Sequence, residues 1–173
     1  MDDFRPKEIL QELGRRQIAF IVIGGIAAAA HGSPYPTRDV DICPEDTDAN
    51  LELLAQALVD LDARLMVADE ASPISVALSP RILRSAEFFN FVTRWGRLDI
   101  VWKPAATAGY RDLSRHAVKA KFGDVEVRIA ALGDVLRSKS ALLRDKDMKT
   151  VHVLRELEEQ RIQAERRREK DEP

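Results

Sequence analysis

The stretch from Phe20 to Ile42, FIVIGGIAAAAHGSPYPTRDVDI, constrains the fold more than any other part of the 173-residue chain. It passes from a continuous apolar run through a glycine pair and an alanine-rich segment to two aspartates that interrupt a second apolar run. A continuous apolar run that ends at glycine reads as a strand covered on both faces, so helices must pack on both sides of its sheet. IAAAAHG then reads as a short helix and DVDIC as a second strand. Residues two apart on a strand point to the same face, about 6–7 Å apart at the backbone. Asp39 and Asp41 therefore converge on one face, while Val40 and Ile42 pack on the other.

The rest of the chain fits an α/β (α+β) domain. Pro6 suits the first turn of a helix whose Ile9, Leu10 and Leu13 share a face and which ends near Gly14. Leu51, Leu54, Leu58 and Leu61 recur at helical spacing from Asp48, the expected cap. ARLMVA reads as a strand and EASPISVALSP as a loop or edge segment. FFNFVTRWGRLDIVW reads as a hairpin turning at Trp95-Gly96, and VKAKFGDVEVRI as another turning at Gly123-Asp124. A short helix is expected from Tyr110 to His116, and helix again from Leu132 nearly to the end. The expected organisation is a mixed β-sheet core over 1–130 with C-terminal helices over 131–173, charged from about 158.

With 45% apolar residues the chain can bury a single core. Its formal charge of −2 points to neither nucleic acid nor membrane. Cys43 is the single cysteine, which excludes an internal disulfide and fits a reducing compartment. No apolar run approaches the ~18–20 residues that span a bilayer, and MDDFRPKEIL does not read as a signal peptide. A cytoplasmic protein without membrane partners is expected. Charge is uneven along the chain: 39–70 is acidic apart from Arg64, whereas 94–121 carries Arg94, Arg97, Lys103, Arg111, Arg115, Lys119 and Lys121.

Two carboxylates held close together repel, and burial raises the pKa of at least one. A divalent cation removes the conflict, and Mg²⁺ typically takes one or two carboxylates together with substrate phosphates. Gly24-Gly25, where a strand gives way to a helix, offers backbone amides and close access to an anion. A phosphate cradle beside a two-carboxylate metal site is the core of phosphoryl or nucleotidyl transfer. Asp99, a lone acid between apolar residues in GRLDIV, is the candidate third carboxylate. Tyr35 and Thr37 fall at the mouth of such a site, Trp95 and Trp102 could stack on a base or pack in the core, and His31 ends a helix and is not read as a ligand.

Gly24-Gly25, Asp39-Val40-Asp41 and Asp99 together resemble the nucleotidyltransferase superfamily with the polymerase-β-like fold. GGIAAAAHG, TRDVDI and RSKSALLRDKD look most like the AbiEii/MenT-type nucleotidyltransferases of bacterial toxin–antitoxin systems. The resemblance covers about residues 18–157 and implies a nucleotidyltransferase-type sheet flanked by helices. It implies Mg²⁺ or Mn²⁺ held by Asp39, Asp41 and Asp99, with Lys139 and Asp147 in the active site. Gly24, Gly25, Thr37, Arg38 and Lys139 are the expected contacts to an NTP. Many members carry serine where this chain has Gly25, and its hydroxyl touches the triphosphate. The implied acceptor is RNA, such as a tRNA 3′ end, with an antitoxin protein as partner. The alternatives are an antibiotic or protein side chain as acceptor, or a non-catalytic nucleotidyltransferase-like partner protein.

Overall fold

The computed structural model describes residues 4–68 and 70–171. Seven strands, β1 (Phe20–Val22), β2 (Asp39–Pro44), β3 (Arg64–Leu65), β4 (Phe88–Thr93), β5 (Gly96–Val101), β6 (Val118–Phe122) and β7 (Val125–Ile129), form one sheet in the order β3-β4-β5-β2-β1-β7-β6. The helices are α1 (Pro6–Arg15), α2 (Gly24–Ala30), α3 (Asp48–Asp60), α4 (Pro80–Leu83), α5 (Tyr110–Leu113), α6 (Leu132–Leu142) and α7 (Asp145–Asp171). The sheet is mixed: β2 runs parallel to β5 and β1 to β7, while β1–β2, β3–β4 and the two hairpins β4–β5 and β6–β7 are antiparallel.

Both hairpins form; the second turns at Gly123-Asp124 as expected, whereas the first turns one residue early, at Arg94-Trp95, with Gly96 already in β5. Each face of the sheet has its own core. Val22, Val40, Ile42, Leu98 and Ile100 point to one face, where Ile9, Leu10 and Leu13 of α1 and Leu51, Leu54 and Leu58 of α3 cover them. On the other face Ile21, Ile23 and Cys43 meet Ala27 and Ala28 of α2, Leu132, Val135 and Leu136 of α6 and Val151 and Leu154 of α7. The C-terminal helices thus complete the core beneath the first strand. Burial raises the Cys43 thiol to about 12, leaving it an inert packing residue.

Four further local details differ from the pattern read along the chain. The glycine pair belongs to α2 itself and does not merely precede it. Thr47 caps α3, accepting the Asn50 amide from extended backbone, while Asp48 lies in the first turn and pairs with Arg84. Of ARLMVA only Arg64 and Leu65 join the ladder, as an edge strand on β4. Leu143, in the left-handed conformation with φ 53°, divides the C-terminal helical region into α6 and α7. No helix among the described residues is long and apolar enough to cross a membrane.

Candidate active site

The parallel pairing of β2 with β5 assembles the acidic centre. Its register sets Asp41 opposite Asp99 and Asp39 opposite Arg97. With Asp39 and Asp41 on one pleat face, all three carboxylates converge, and one oxygen from each lies within 4.8 Å of the others. Val40, Ile42, Leu98 and Ile100, on the opposite face, are fully buried and lock both strands in that register.

Burial raises the Asp41 carboxyl to about 7, helped by the charges of Asp39 and Asp99 and opposed by the Gly25 amide and Lys139. Burial also raises the Asp99 carboxyl, with Asp39 acting in the same sense and an Asn90 hydrogen bond and Arg97 opposing. Hard oxygen donors grouped this closely, with an unfavourable protonation balance, suit a divalent cation such as Mg²⁺ or Mn²⁺.

The two glycines bring the start of α2 against this centre. Gly24 has φ +62°, and a Cβ there would collide with the Asp41 carboxylate. A Cβ on Gly25 would meet the Thr37 hydroxyl and lie 2.6 Å from Thr37 Cβ. Thr37 fills that space and donates its hydroxyl hydrogen to Asp39 Oδ1 at 2.6 Å. The hydroxyl beside the turn is thus supplied by Thr37, which packs against Gly25.

Facing the acids across the cleft is a cationic wall from α6 and α7. Lys139 Nζ lies 3.0 Å from Asp147 Oδ1, and Arg144 Nε lies 2.5 Å from Asp147 Oδ2. Asp147 is 1% exposed. Burial alone would raise its carboxyl, yet the hydrogen bonds from Arg144 and Lys139 hold it below the usual carboxylate range. The left-handed Leu143 carries the chain from α6 into α7 and so brings Arg144 and Asp147 back to Lys139.

The cleft between these walls encloses about 1000 Å³. Gly24, Gly25, Thr37, Lys139, Asp147 and the three acids all line it, as does Tyr35. Arg38 is exposed and lies outside the lining. None of the basic residues from Arg94 to Lys121 lines the cleft either. Trp95 and Trp102 pack against the core beneath α1 and α3, and a His31 ring nitrogen lies 2.8 Å from the Ala130 carbonyl oxygen. Sequence reading missed Arg144, Lys146, Lys149, Asn90 and Phe88. The first three were legible as the cationic cluster around RDKDMK; Asn90 and Phe88 needed the β4–β5 register.

No family model and no curated protein matches the sequence. Among solved structures, the lincosamide antibiotic adenylyltransferase LnuA, in its lincomycin-bound form, superposes with a TM-score of 0.57 at 15% identity, over 87% of this chain and 94% of that one. A proposed nucleotidyltransferase from Thermotoga maritima superposes with a TM-score of 0.51 at 14% identity, over 91% of this chain and 96% of that one. The chain therefore has the fold of nucleotidyltransferases, over nearly its whole length.

Proposed function

We propose that the protein is a divalent-metal-dependent nucleotidyltransferase that moves a nucleoside monophosphate from an NTP to an acceptor hydroxyl. The observation that carries this reading is the opposition of the acid centre to the Lys139–Arg144 wall within one cleft. In the reaction the acceptor oxygen forms a bond to the α-phosphorus, the bond from that phosphorus to the bridging oxygen breaks, and pyrophosphate leaves. Asp39, Asp41 and Asp99 would hold the metal, which supplies Lewis-acid stabilisation of the charge on the transferring phosphate when bound.

This chain's own residues do the rest. Gly24 and Gly25 keep the start of α2 free of side chains, so a phosphate chain can approach the acids. Lys139, aimed by Asp147, binds the anionic leaving side, and Arg144 adds a second positive charge. Thr37 orients Asp39. Asp99, whose carboxyl is raised by burial, receives the acceptor's proton or passes it to solvent.

The likeness to toxin nucleotidyltransferases supports a finer proposal, transfer to RNA such as a tRNA 3′ end, with an antitoxin as partner. The LnuA likeness in fold supports the other branch, a small antibiotic-like hydroxyl acceptor. Incubation with each α-labelled NTP, Mg²⁺ or Mn²⁺, and either total RNA or small glycosides tests the reaction. Label transferred with release of pyrophosphate is expected. A protein that binds no NTP with either metal contradicts the proposal.

A further inference from the structure

Resting on the transfer reading above, we infer that the acceptor is a small hydroxyl compound with an apolar or aromatic face, seated on a shelf built by Phe88 and Val101 beside Asp99, and not a polynucleotide. The β4–β5 register pairs Asn90 with Asp99 and Phe88 with Val101. Alternation places Asp99 and Val101 on one face of β5, so Phe88 and Val101 form the next same-face rung beyond the reactive carboxylate, about 7 Å along the strand. Both line the cleft, and Pro104 and Ala105 extend the same wall.

Phe88 is 59% exposed. The Phe89 and Phe91 rings stack on each other at 5.8 Å on the opposite, buried face, which leaves the Phe88 ring turned towards the cleft side. In the strand order, β1 and β2 carry the glycine turn and the metal-binding acids, β5 carries Asp99, and β4 carries the shelf. A molecule on the shelf therefore presents a hydroxyl to Asp99 from the side away from Lys139.

Charge decides the class of occupant. Among the described residues, every cation lining the cleft comes from 139–149, namely Lys139, Arg144, Lys146 and Lys149, all on the opposite wall. The shelf itself has none. Arg97, the cation that acts on Asp99, lies one rung the other way, opposite Asp39, and Lys103 is exposed outside the lining. A polynucleotide 3′ end would set its first phosphodiester on an apolar surface facing three carboxylates, whereas backbone binding needs cations along the phosphate track. An uncharged or cationic compound with one apolar face meets no such opposition, and a sugar or ring stacked on Phe88 gains from it.

The test uses the full chain saturated with Mg²⁺ and a non-hydrolysable ATP or GTP analogue, with phenyl β-D-glucoside as the probe. Calorimetry or ligand-observed NMR should detect glucoside binding that weakens at least about fivefold in Phe88→Ala, with nucleotide affinity unchanged within about twofold. A short RNA with a free 3′ end should not displace the glucoside. Absent glucoside binding, equal binding by Phe88→Ala, or displacement by the RNA overturns the acceptor assignment while leaving nucleotidyl transfer intact. Wild-type protein that fails to bind the nucleotide analogue with metal overturns the transfer reading itself.

Discussion

Asp41 is half-buried and Asp147 fully buried on opposite walls of one cleft, and their surroundings push the two carboxylates in opposite directions. Asp147 has Lys139 and Arg144 within hydrogen-bond reach and is held below the usual carboxylate range. Asp41 faces Asp39 and Asp99 and is raised to about 7. The fold neutralises the first with its own side chains and leaves the second short of positive charge. A carboxylate with internal partners holds a wall in place, whereas one held against its own kind is built for a cation from outside.

The largest expected effect breaks the contrast on the acid side. Asp41→Asn removes a metal ligand, so calorimetry should show metal-dependent NTP affinity falling by about 100-fold or more, the range of a lost metal or charge contact. Without metal the same variant should be at least as stable as wild type, because it relieves repulsion among the three acids.

On the other wall the same change does the reverse. Asp147→Asn leaves Lys139, 14% exposed at its side chain, without its anionic partner. Arg144 is 54% exposed and recovers in water, so the loss falls between that of an exposed pair and that of a fully buried one, about 2 kcal/mol in denaturant unfolding. Apparent KM for NTP should rise together with that loss, since Lys139 is no longer aimed. An Asp147→Asn protein as stable as wild type would remove the distinction between the walls.

A smaller effect follows from pH. Asp41 has a higher pKa folded than unfolded, so the native state holds more protons between about 4 and 7. In chelator, its contribution to stability is full below pH 4 and is lost as pH rises through 7. Melting measured from pH 5 to pH 8 should show a decline of about 2–3 kcal/mol that Asp41→Asn abolishes. Adding Mg²⁺ or Mn²⁺ at pH 8 should recover much of it by binding the folded state. A metal-free protein that gains stability over this range through the acid centre would contradict the electrostatics.

The same contrast explains what could be read in the sequence. Asp39 and Asp41 were visible because strand periodicity puts them on one face and apolar neighbours make their presence costly. Asp99 stood out for the same reason, although its position opposite Asp41 required the parallel β2–β5 pairing, a contact between segments nearly 60 residues apart in the chain. Lys139 and Asp147 carried no periodic signal and entered through resemblance; their pairing depends on the left-handed turn at Leu143, whose leucine gives no hint of positive φ. The role of Thr37 was hidden because it depends on the space above Gly25, and the Phe88 shelf because FFNF does not say which phenylalanine faces outward. Short-range pattern revealed single residues, and long-range register decided which of them meet.

The measurement that tests the central claim most directly is the proton count on metal–nucleotide binding. The protein is titrated at pH 7 with an NTP analogue and Mn²⁺ in two buffers of different ionisation heat. If Asp41 titrates near 7 and binds metal only as the carboxylate, wild type should release about half a proton through this group, on top of the nucleotide's own linkage. That share should shrink at pH 8 and vanish in Asp41→Asn. Binding that needs no metal, or proton release identical in Asp41→Asn, would show that the acid centre does not exist to receive a cation.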